Sequence, residues 1–178
     1  MRFIWITTLL FFTISCVPKS KRNEVFADLA DEDSIVIVLK NYHLDSIPNA
    51  IEQFENAKSL VISIDSLNKW TIYPPVNAYN KTIDSPPFKY LPQEITELKN
   101  LRQLILYALN LKGLPEDFDQ LENLEYLDLS MNKLDVSSEL LKLKRLKKLK
   151  YLVLFGNRID SMAMQNWKKE NPEIEIIY

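Results

Sequence analysis

The sequence is poor in three residue types, and each scarcity argues against a class of site. The chain of 178 residues contains two glycines, one cysteine and one histidine. So few glycines argue against a loop that cradles phosphate by close backbone approach. A single cysteine permits no intramolecular disulfide and no cysteine metal cluster. With a single histidine, a zinc site would need almost all of its ligands to be carboxylates, and such sites are rare.

The charge of the chain gives no sign of a nucleic-acid partner. The chain has 22 basic and 24 acidic residues, and its net charge at pH 7 is −2. Binding that depends on neutralising phosphates is favoured by a basic excess, which this chain lacks. The apolar fraction of 47% and the charged fraction of 26% are typical of a globular protein. We therefore expect one domain with its own core, no cofactor and no nucleic-acid partner.

The amino-terminal segment has the layout of a targeting signal. Arg2 precedes a largely apolar run over residues 3–14, which is shorter than the roughly 20 residues that span a bilayer. A basic start, an apolar middle and a small residue before the cleavage point are typical of a signal peptide. Because Cys16 directly follows Ser15, the segment resembles the lipobox of bacterial lipoproteins. An ordinary secretory signal with an incidental cysteine is the alternative.

The lipoprotein resemblance implies how the protein is anchored. In that family the signal, here residues 1–15, is removed and the cysteine carries the lipid, which makes Cys16 the attachment site. Residues 16–22 are polar and contain a proline, and we interpret them as a tether. Val17 follows the cysteine where an aspartate would direct the protein to the inner membrane. We therefore expect a lipid-anchored protein of the bacterial cell envelope, in the outer membrane rather than the inner one.

A repeat of about 23 residues runs through the rest of the chain. In LEYLDLSMNKL, residues 124–134, the leucines have offsets that neither a helix nor a plain strand explains. The same offsets start at Leu101 and again at Leu149. Counting Leu101 as position 1, we assign Leu60 and Ile62 to positions 4 and 6. We assign Ile37 and Leu39, 23 residues upstream, to the same two positions.

This pattern resembles LxxLxLxxNxLxxLPxxaxxL of the leucine-rich repeat family, over residues 34–178. The resemblance implies an α/β leucine-rich repeat solenoid, with a curved parallel sheet on the concave face and short helical or irregular segments on the convex face. One repeat cannot bury its leucines alone, so neighbouring repeats must stack. The ninth position holds asparagine only at Asn132 and Asn157, so an asparagine ladder is predicted in the carboxyl half alone.

The solenoid sets the expected domain limits. Both ends need covers, because a solenoid end exposes its core. We predict a capping helix over residues 23–33, repeats over residues 34–170 and a capping half-repeat over residues 171–178. Residues 71–90 contain four prolines, and proline cannot donate to a strand ladder. We interpret that segment as a degenerate repeat or a loop.

Candidate catalytic and ionic sites are weak in this sequence. His43 has no serine and carboxylate at a recognisable spacing, so no enzyme and no small-molecule substrate are predicted. The basic stretch at residues 138–150 has leucines at helical spacing, which indicates a solvated convex face rather than a site for phosphate or lipid headgroups. The acids of residues 115–119 follow Pro115 and indicate a helix start rather than a metal site.

Positions 3, 5 and 7 of each repeat are predicted to point out of the concave sheet. In the first repeat these positions fall on Val36, Val38 and Lys40. The candidate partner-binding residues, which are aromatic or β-branched, are Ile105, Tyr107, Tyr126, Tyr151, Val153 and Phe155. Tyr126 and Tyr151 should be neighbours on adjacent strands, with Tyr107 and Phe155 flanking them.

Exposed aromatic clusters on a rigid sheet are typical of interaction surfaces. We therefore expect a non-catalytic module that binds another protein. The alternatives are a structural lipoprotein that binds envelope glycan or peptidoglycan, and an enzyme-regulating domain.

The mature protein should begin at a lipid-modified Cys16. Attachment of two acyl chains would anchor the protein stably, whereas one chain would not. Mass spectrometry of the native amino-terminal peptide measures both the start and the added mass. An unmodified Cys16, or a different first residue, would contradict the lipobox interpretation.

Overall fold

The structure is a computed structural model that describes residues 24–44, 46–64 and 90–178. The signal segment, Cys16 and the tether lie outside the described residues. The proline-rich segment 71–90 also lies outside them, except for Tyr90. The predictions for these segments stay predictions.

Six short parallel strands form one sheet, in which each strand is hydrogen-bonded to the next in sequence order. The strands are β1 (Ser34–Val38), β2 (Ser59–Ser63), β3 (Gln103–Tyr107), β4 (Tyr126–Asp128), β5 (Tyr151–Val153) and β6 (Glu175–Ile177). Parallel neighbours in strict sequence order require the chain to return after every strand. The predicted leucine-rich repeat solenoid is confirmed.

The returning segments are short and mostly 3₁₀-helical. The 3₁₀-helices are Glu24–Phe26, Leu39–Tyr42, Asn49–Gln53, Gln93–Glu97 and Phe118–Gln120. Two α-helices complete the carboxyl half, α1 (Val136–Lys144) and α2 (Ser161–Glu170). Asp135 and Asp160 cap them, because each side chain accepts hydrogen bonds from backbone N–H groups of the first turn.

The core lies between the sheet and these returning segments. Side chains alternate along each strand, so two of them turn inward from each full repeat. The inward residues are fully buried, and they are Ile35, Ile37, Leu60, Ile62, Leu104, Leu106, Leu127, Leu129, Leu152 and Leu154. Phe54, Ile95 and Phe118 of the returning segments close the core from the opposite side.

The register of the first repeat is two residues away from the predicted one. Ile35 pairs with Leu60 and Ile37 pairs with Ile62, so Ile35 and Ile37 occupy positions 4 and 6. Leu39, predicted at position 6, instead begins the 3₁₀-helix Leu39–Tyr42. That turn absorbs two additional residues before the pattern resumes. Leu39 is buried as well, so alternation alone fits either register.

This shift also moves the outward residues of β1. Val36 pairs with Val61 and Val38 pairs with Ser63, which places them at positions 5 and 7 rather than 3 and 5. Lys40 lies in the turn after the strand, not at position 7.

β2 and β3 pair directly although 44 residues separate Ser59 from Gln103. The Ser59 hydroxyl donates to Oε1 of Gln103 at 2.7 Å across this junction. The sheet therefore continues from β2 to β3 with no strand between them.

Aromatic residues close both ends of the core. Where a helix over residues 23–33 is predicted, the described residues form the 3₁₀-helix Glu24–Phe26 followed by turns. The Phe26 ring is buried, with its centre 5.0 Å from that of Tyr42 and 5.6 Å from that of Phe54. At the carboxyl end, Trp167 of α2 and Ile176 of β6 are buried.

The predicted asparagine ladder is present in the carboxyl half. Asn132 Oδ1 accepts from the N–H groups of Leu109 and Leu111 at 3.0 and 3.1 Å. Its Nδ2 donates to the carbonyls of Leu106 and Leu129 at 2.7 and 2.8 Å. The Asn132 side chain thereby supplies hydrogen-bond partners to backbone groups of the bend that would otherwise be buried and unpaired.

Asn157 repeats this arrangement one turn later. Its Nδ2 donates to the carbonyls of Leu129 and Leu154, and its Oδ1 accepts from the N–H of Leu134 at 3.1 Å. In the repeats that start at Leu101, Leu124 and Leu149, the residue before the ninth position has a left-handed backbone conformation, with φ of 54°, 58° and 77° at Ala108, Met131 and Gly156. A Cβ on Gly156 would lie 2.7 Å from Sδ and 3.2 Å from Cα of Met131, so glycine is favoured at this bend.

A second pair of asparagines links neighbouring repeats just before β3 and β4. Asn100 and Asn123 each precede position 1, and their Nδ2 groups donate to the carbonyls of Glu55 and Lys99 at 2.8 Å. Sequence reasoning missed this link. Its signal is the recurrence of Asn-Leu after 23 residues.

The basic stretch contains one exception to the predicted solvated face. The Lys142 side chain is only 16% exposed and lies 3.2 Å from carboxylate oxygens of both Glu139 and Glu116. Its Nζ donates to the carbonyl of Leu114, whose N–H donates to Glu139. Burial lowers the pKa of Lys142, but the two carboxylates outweigh burial, so the pKa is raised. Glu139 and Lys142 therefore join α1 to the preceding repeat through Leu114 and Glu116.

Leu129→Ala and Leu154→Ala should each destabilise the protein by about 2–5 kcal/mol, because each opens a cavity in the stacked core. Lys147 is exposed on the convex side, so Lys147→Ala should change the free energy of unfolding by less than about 0.5 kcal/mol. Urea unfolding of the three variants compares these values. Equal losses at all three positions would show that the repeat phase is wrong.

Candidate protein-binding face

The outward side chains of the sheet form rows that cross the strands. Register places Tyr126 beside Tyr151 and Tyr151 beside Glu175 in one row. A second row runs from Ile105 through Asp128 and Val153 to Ile177. Equivalent positions on adjacent strands lie about 4.8 Å apart, so side chains in one row can touch.

The two predicted neighbours are in contact. The ring centres of Tyr126 and Tyr151 are 6.1 Å apart, with an angle of 36° between the ring planes. Tyr151 is 47% exposed, whereas Tyr126 is partly buried against its neighbours. The rings are tilted rather than stacked, and their centres lie within the range of roughly 4.5–7 Å typical of interacting aromatic pairs.

The other four predicted residues lie around this pair. Tyr107 ends β3, and Phe155 follows β5 and is 50% exposed. Ile105 and Val153 flank Asp128, and both are partly exposed. The structure therefore places all six candidates on one face, over β3 to β5.

The last strand adds one outward residue that sequence reasoning assigned only to a cap. Ile177 pairs with Val153 and is 50% exposed. Tyr178 follows it, and Nζ of Lys168 lies 5.5 Å from the centre of the Tyr178 ring. The alternation of Ile177 with buried Ile176 was the available signal. We call Tyr107, Tyr126, Tyr151, Val153, Phe155 and Ile177 the aromatic patch.

The amino-terminal half of the same face is different. At position 7 the side chain of Ser63 is buried, and Val61 at position 5 is nearly so. Val36 is exposed but has small or β-branched neighbours in β2. The large exposed side chains of the sheet are therefore concentrated towards β5 and β6.

Charge is sparse on the sheet. The six strands contain two charged residues, Asp128 and Glu175, and neither lysine nor arginine. Asp128 Oδ1 accepts from the N–H of Ser130 at 2.8 Å and from its hydroxyl at 2.5 Å. Burial, followed by the charge of Asp128, raises the pKa of Tyr107 and that of Tyr126.

Ion pairs are found instead at the edge where the strands begin. Glu125 Oε2 lies 2.6 Å from Nζ of Lys150, and Glu125 Oε1 lies 4.0 Å from Arg102. Lys150 holds the pKa of Glu125 below its usual value. Lys58 and Asp33 form a similar pair at 2.9 Å. These exposed pairs join adjacent repeats and contribute little stability each.

The remaining candidates show no convergent chemistry. His43 is exposed in a turn, with φ of 52°. Within residues 24–44, 46–64 and 90–178, no group of three or more histidine, cysteine, aspartate or glutamate side chains is placed to hold a metal ion. No helix in those ranges is long and apolar enough to cross a bilayer.

The fold has counterparts among solved structures. No protein-family model and no curated protein matches the sequence. The chain is similar to a leucine-rich repeat protein of Leptospira interrogans, with 25% identity and a TM-score of 0.45. It is also similar to the leucine-rich repeat ectodomain of the receptor kinase SOBIR1 from Arabidopsis thaliana, with 24% identity and a TM-score of 0.42. A third is the plant peptide hormone receptor RGFR1 in complex with RGF2, with 20% identity and a TM-score of 0.44.

These alignments cover 74%, 63% and 63% of this chain, but 34%, 50% and 15% of the other chains, in the same order. The chain thus spans half or less of the length of each of these three structures. Its leucine-rich repeat fold rests on its own strand register and buried asparagines.

Proposed function

We propose that this protein is a non-catalytic binding module whose aromatic patch contacts another protein. The observation that carries the proposal is the exposure of Tyr151, Phe155 and Ile177, at 47%, 50% and 50%, on one continuous sheet face. Large apolar side chains left in water are unfavourable for a monomer when they adjoin one another. Burying them against a partner would supply the main favourable term in binding.

Strand propensity alone does not explain the patch. Strands favour aromatic and β-branched residues wherever they occur, so that preference should act equally on β2. Yet β2 has Ser59, Val61 and Ser63 at its outward positions and no aromatic residue, whereas β4 and β5 have tyrosines. The uneven distribution supports a site at one end of the face rather than a general property of the sheet.

The sheet also provides the rigidity that an interaction site needs. Tyr126 and Tyr151 sit on paired parallel strands whose inward neighbours, Leu127 and Leu152, are fully buried. Their positions are therefore set by the core, and little backbone ordering would accompany binding. Tyrosine is also among the residues that most often dominate binding energy at protein interfaces.

We further propose that a lipid at Cys16 anchors the module in the bacterial cell envelope, on the outer membrane. The support comes from the lipobox-like sequence and from the polar segment 16–22. A tether of this composition would let the folded domain stand away from the bilayer. The concave face would then be accessible to a partner in the same compartment.

Tyr126→Ala combined with Tyr151→Ala should weaken capture of the native partner by about tenfold or more, because tyrosine truncation at the centre of an interface commonly costs over 1–2 kcal/mol. The measurement is capture from solubilised envelope by the immobilised protein, titrated and identified by mass spectrometry. Val36→Ala is the matched control, since Val36 is 55% exposed on the same face but lies in β1. Melting curves check that all variants are folded.

Two results would contradict the proposal. Undiminished capture by the double variant would place the site elsewhere, with the segment 71–90 next to be tested. Retention of peptidoglycan or glycan by the wild type, lost in the double variant, would replace the protein partner by an envelope polymer.

A further inference from the structure

We propose that the partner presents a lysine or arginine side chain to Asp128, at the centre of the aromatic patch. This inference rests on the proposed function, because it specifies the chemistry of the partner at the same face. It concerns one contact within the interface and identifies the charge that the partner must carry there.

The position of Asp128 is central. Ile105 and Val153 lie directly beside it on the adjacent strands. Tyr126 precedes it by two residues on the same face, and Tyr107 lies diagonally across on β3. Asp128 is partly exposed between these aromatic and aliphatic neighbours.

The carboxylate is already oriented. Ser130 donates to Oδ1 of Asp128 from both its N–H and its hydroxyl, at 2.8 and 2.5 Å. These neutral donors fix the group without neutralising it. Among the ion pairs of the described residues, none includes Asp128.

Contact with a purely apolar partner would be unfavourable at this point. Covering the patch would remove Asp128 from water, and an unpaired buried charge is costly. A cation on the partner would offset that cost with a charge-assisted hydrogen bond. The faces of tyrosine rings also attract cations, and two such rings adjoin the carboxylate. An acidic partner would meet repulsion.

The second acid of the sheet, Glu175, has a different environment. It lines a shallow groove together with Lys150 and Lys168, so two cations of this chain already lie near it. Glu175 also adjoins Tyr151, but unlike Asp128 it has lysines of this chain beside it, whereas no ion pair of the described residues includes Asp128. The contrast makes Glu175 a suitable control.

Asp128→Asn separates charge from structure. Asparagine retains an oxygen that can accept from Ser130, but it has no charge. The native protein, extracted in detergent, is used to select binders from a library of random linear peptides. The double variant with Tyr126→Ala and Tyr151→Ala is added as a soluble competitor for the peptides. This step retains peptides that need the aromatic patch. Each retained peptide is then titrated against wild type, Asp128→Asn and Glu175→Gln.

The expected result is enrichment of lysine or arginine at one position of the retained peptides. Changing that residue to glutamine, or Asp128 to Asn, should each weaken binding by about tenfold, the scale of a lost charge-assisted hydrogen bond. The two losses should not add, because they remove the same contact. Glu175→Gln should leave binding within about twofold.

Other results overturn the inference in distinguishable ways. Peptides that need Tyr126 and Tyr151 but bind Asp128→Asn as tightly as wild type would refute the cationic contact and leave the proposed function standing. Weaker binding to Glu175→Gln, with binding to Asp128→Asn unchanged, would show that the partner's cation contacts Glu175 and not Asp128. Absence of any peptide that needs the patch would count against the proposed function itself, and with it this inference.

Discussion

The structure depends on one constraint, which is that a single repeat has too little interior to bury its own leucines. Each repeat contributes two inward side chains from its strand and a few more from its return, and these become buried only against the next repeat. Leu129, for example, is fully buried between its neighbours in adjacent turns. Stacking therefore fixes the strand register, and the register in turn decides which outward side chains become neighbours. The juxtaposition of Tyr126 and Tyr151 is a consequence of core packing.

Polar groups within the bends follow from the same constraint. Tight stacking buries backbone groups that water can no longer reach, so a side chain must satisfy them. Asn132 and Asn157 do so in the last two full repeats, and Glu139 with Lys142 does so at Leu114. Most charged side chains therefore lie near the ends of the strands and in the segments that connect one strand to the next. The sheet face itself is left almost uncharged, which gives Asp128 its distinct character.

Sequence reasoning reached the fold, the core positions of every repeat but the first and the outward placement of the six candidates, because a repeated pattern constrains every copy at once. It failed where a local pattern was degenerate. Ile35, Ile37 and Leu39 are all apolar and all buried, so period-two alternation could not choose the register of β1. The basic residues around Lys142 predicted a solvent-exposed side chain. The side chain is instead partly buried and paired with Glu139, which depends on how deeply α1 packs, and the sequence pattern does not specify that depth. Ile177 was not predicted as an outward residue of the face, because residues 171–178 were assigned to a capping half-repeat.

The most direct test of the central claim is hydroxyl-radical footprinting of the protein in its native cells, compared with the purified protein. Oxidation of Tyr151 and Phe155 is read by mass spectrometry, with Tyr90 as the reference because it is 69% exposed outside the patch. A partner on the concave face predicts slower oxidation of Tyr151 and Phe155 in the cells, with Tyr90 unchanged. Unchanged oxidation of Tyr151 and Phe155 together with protection of Tyr90 would contradict the account.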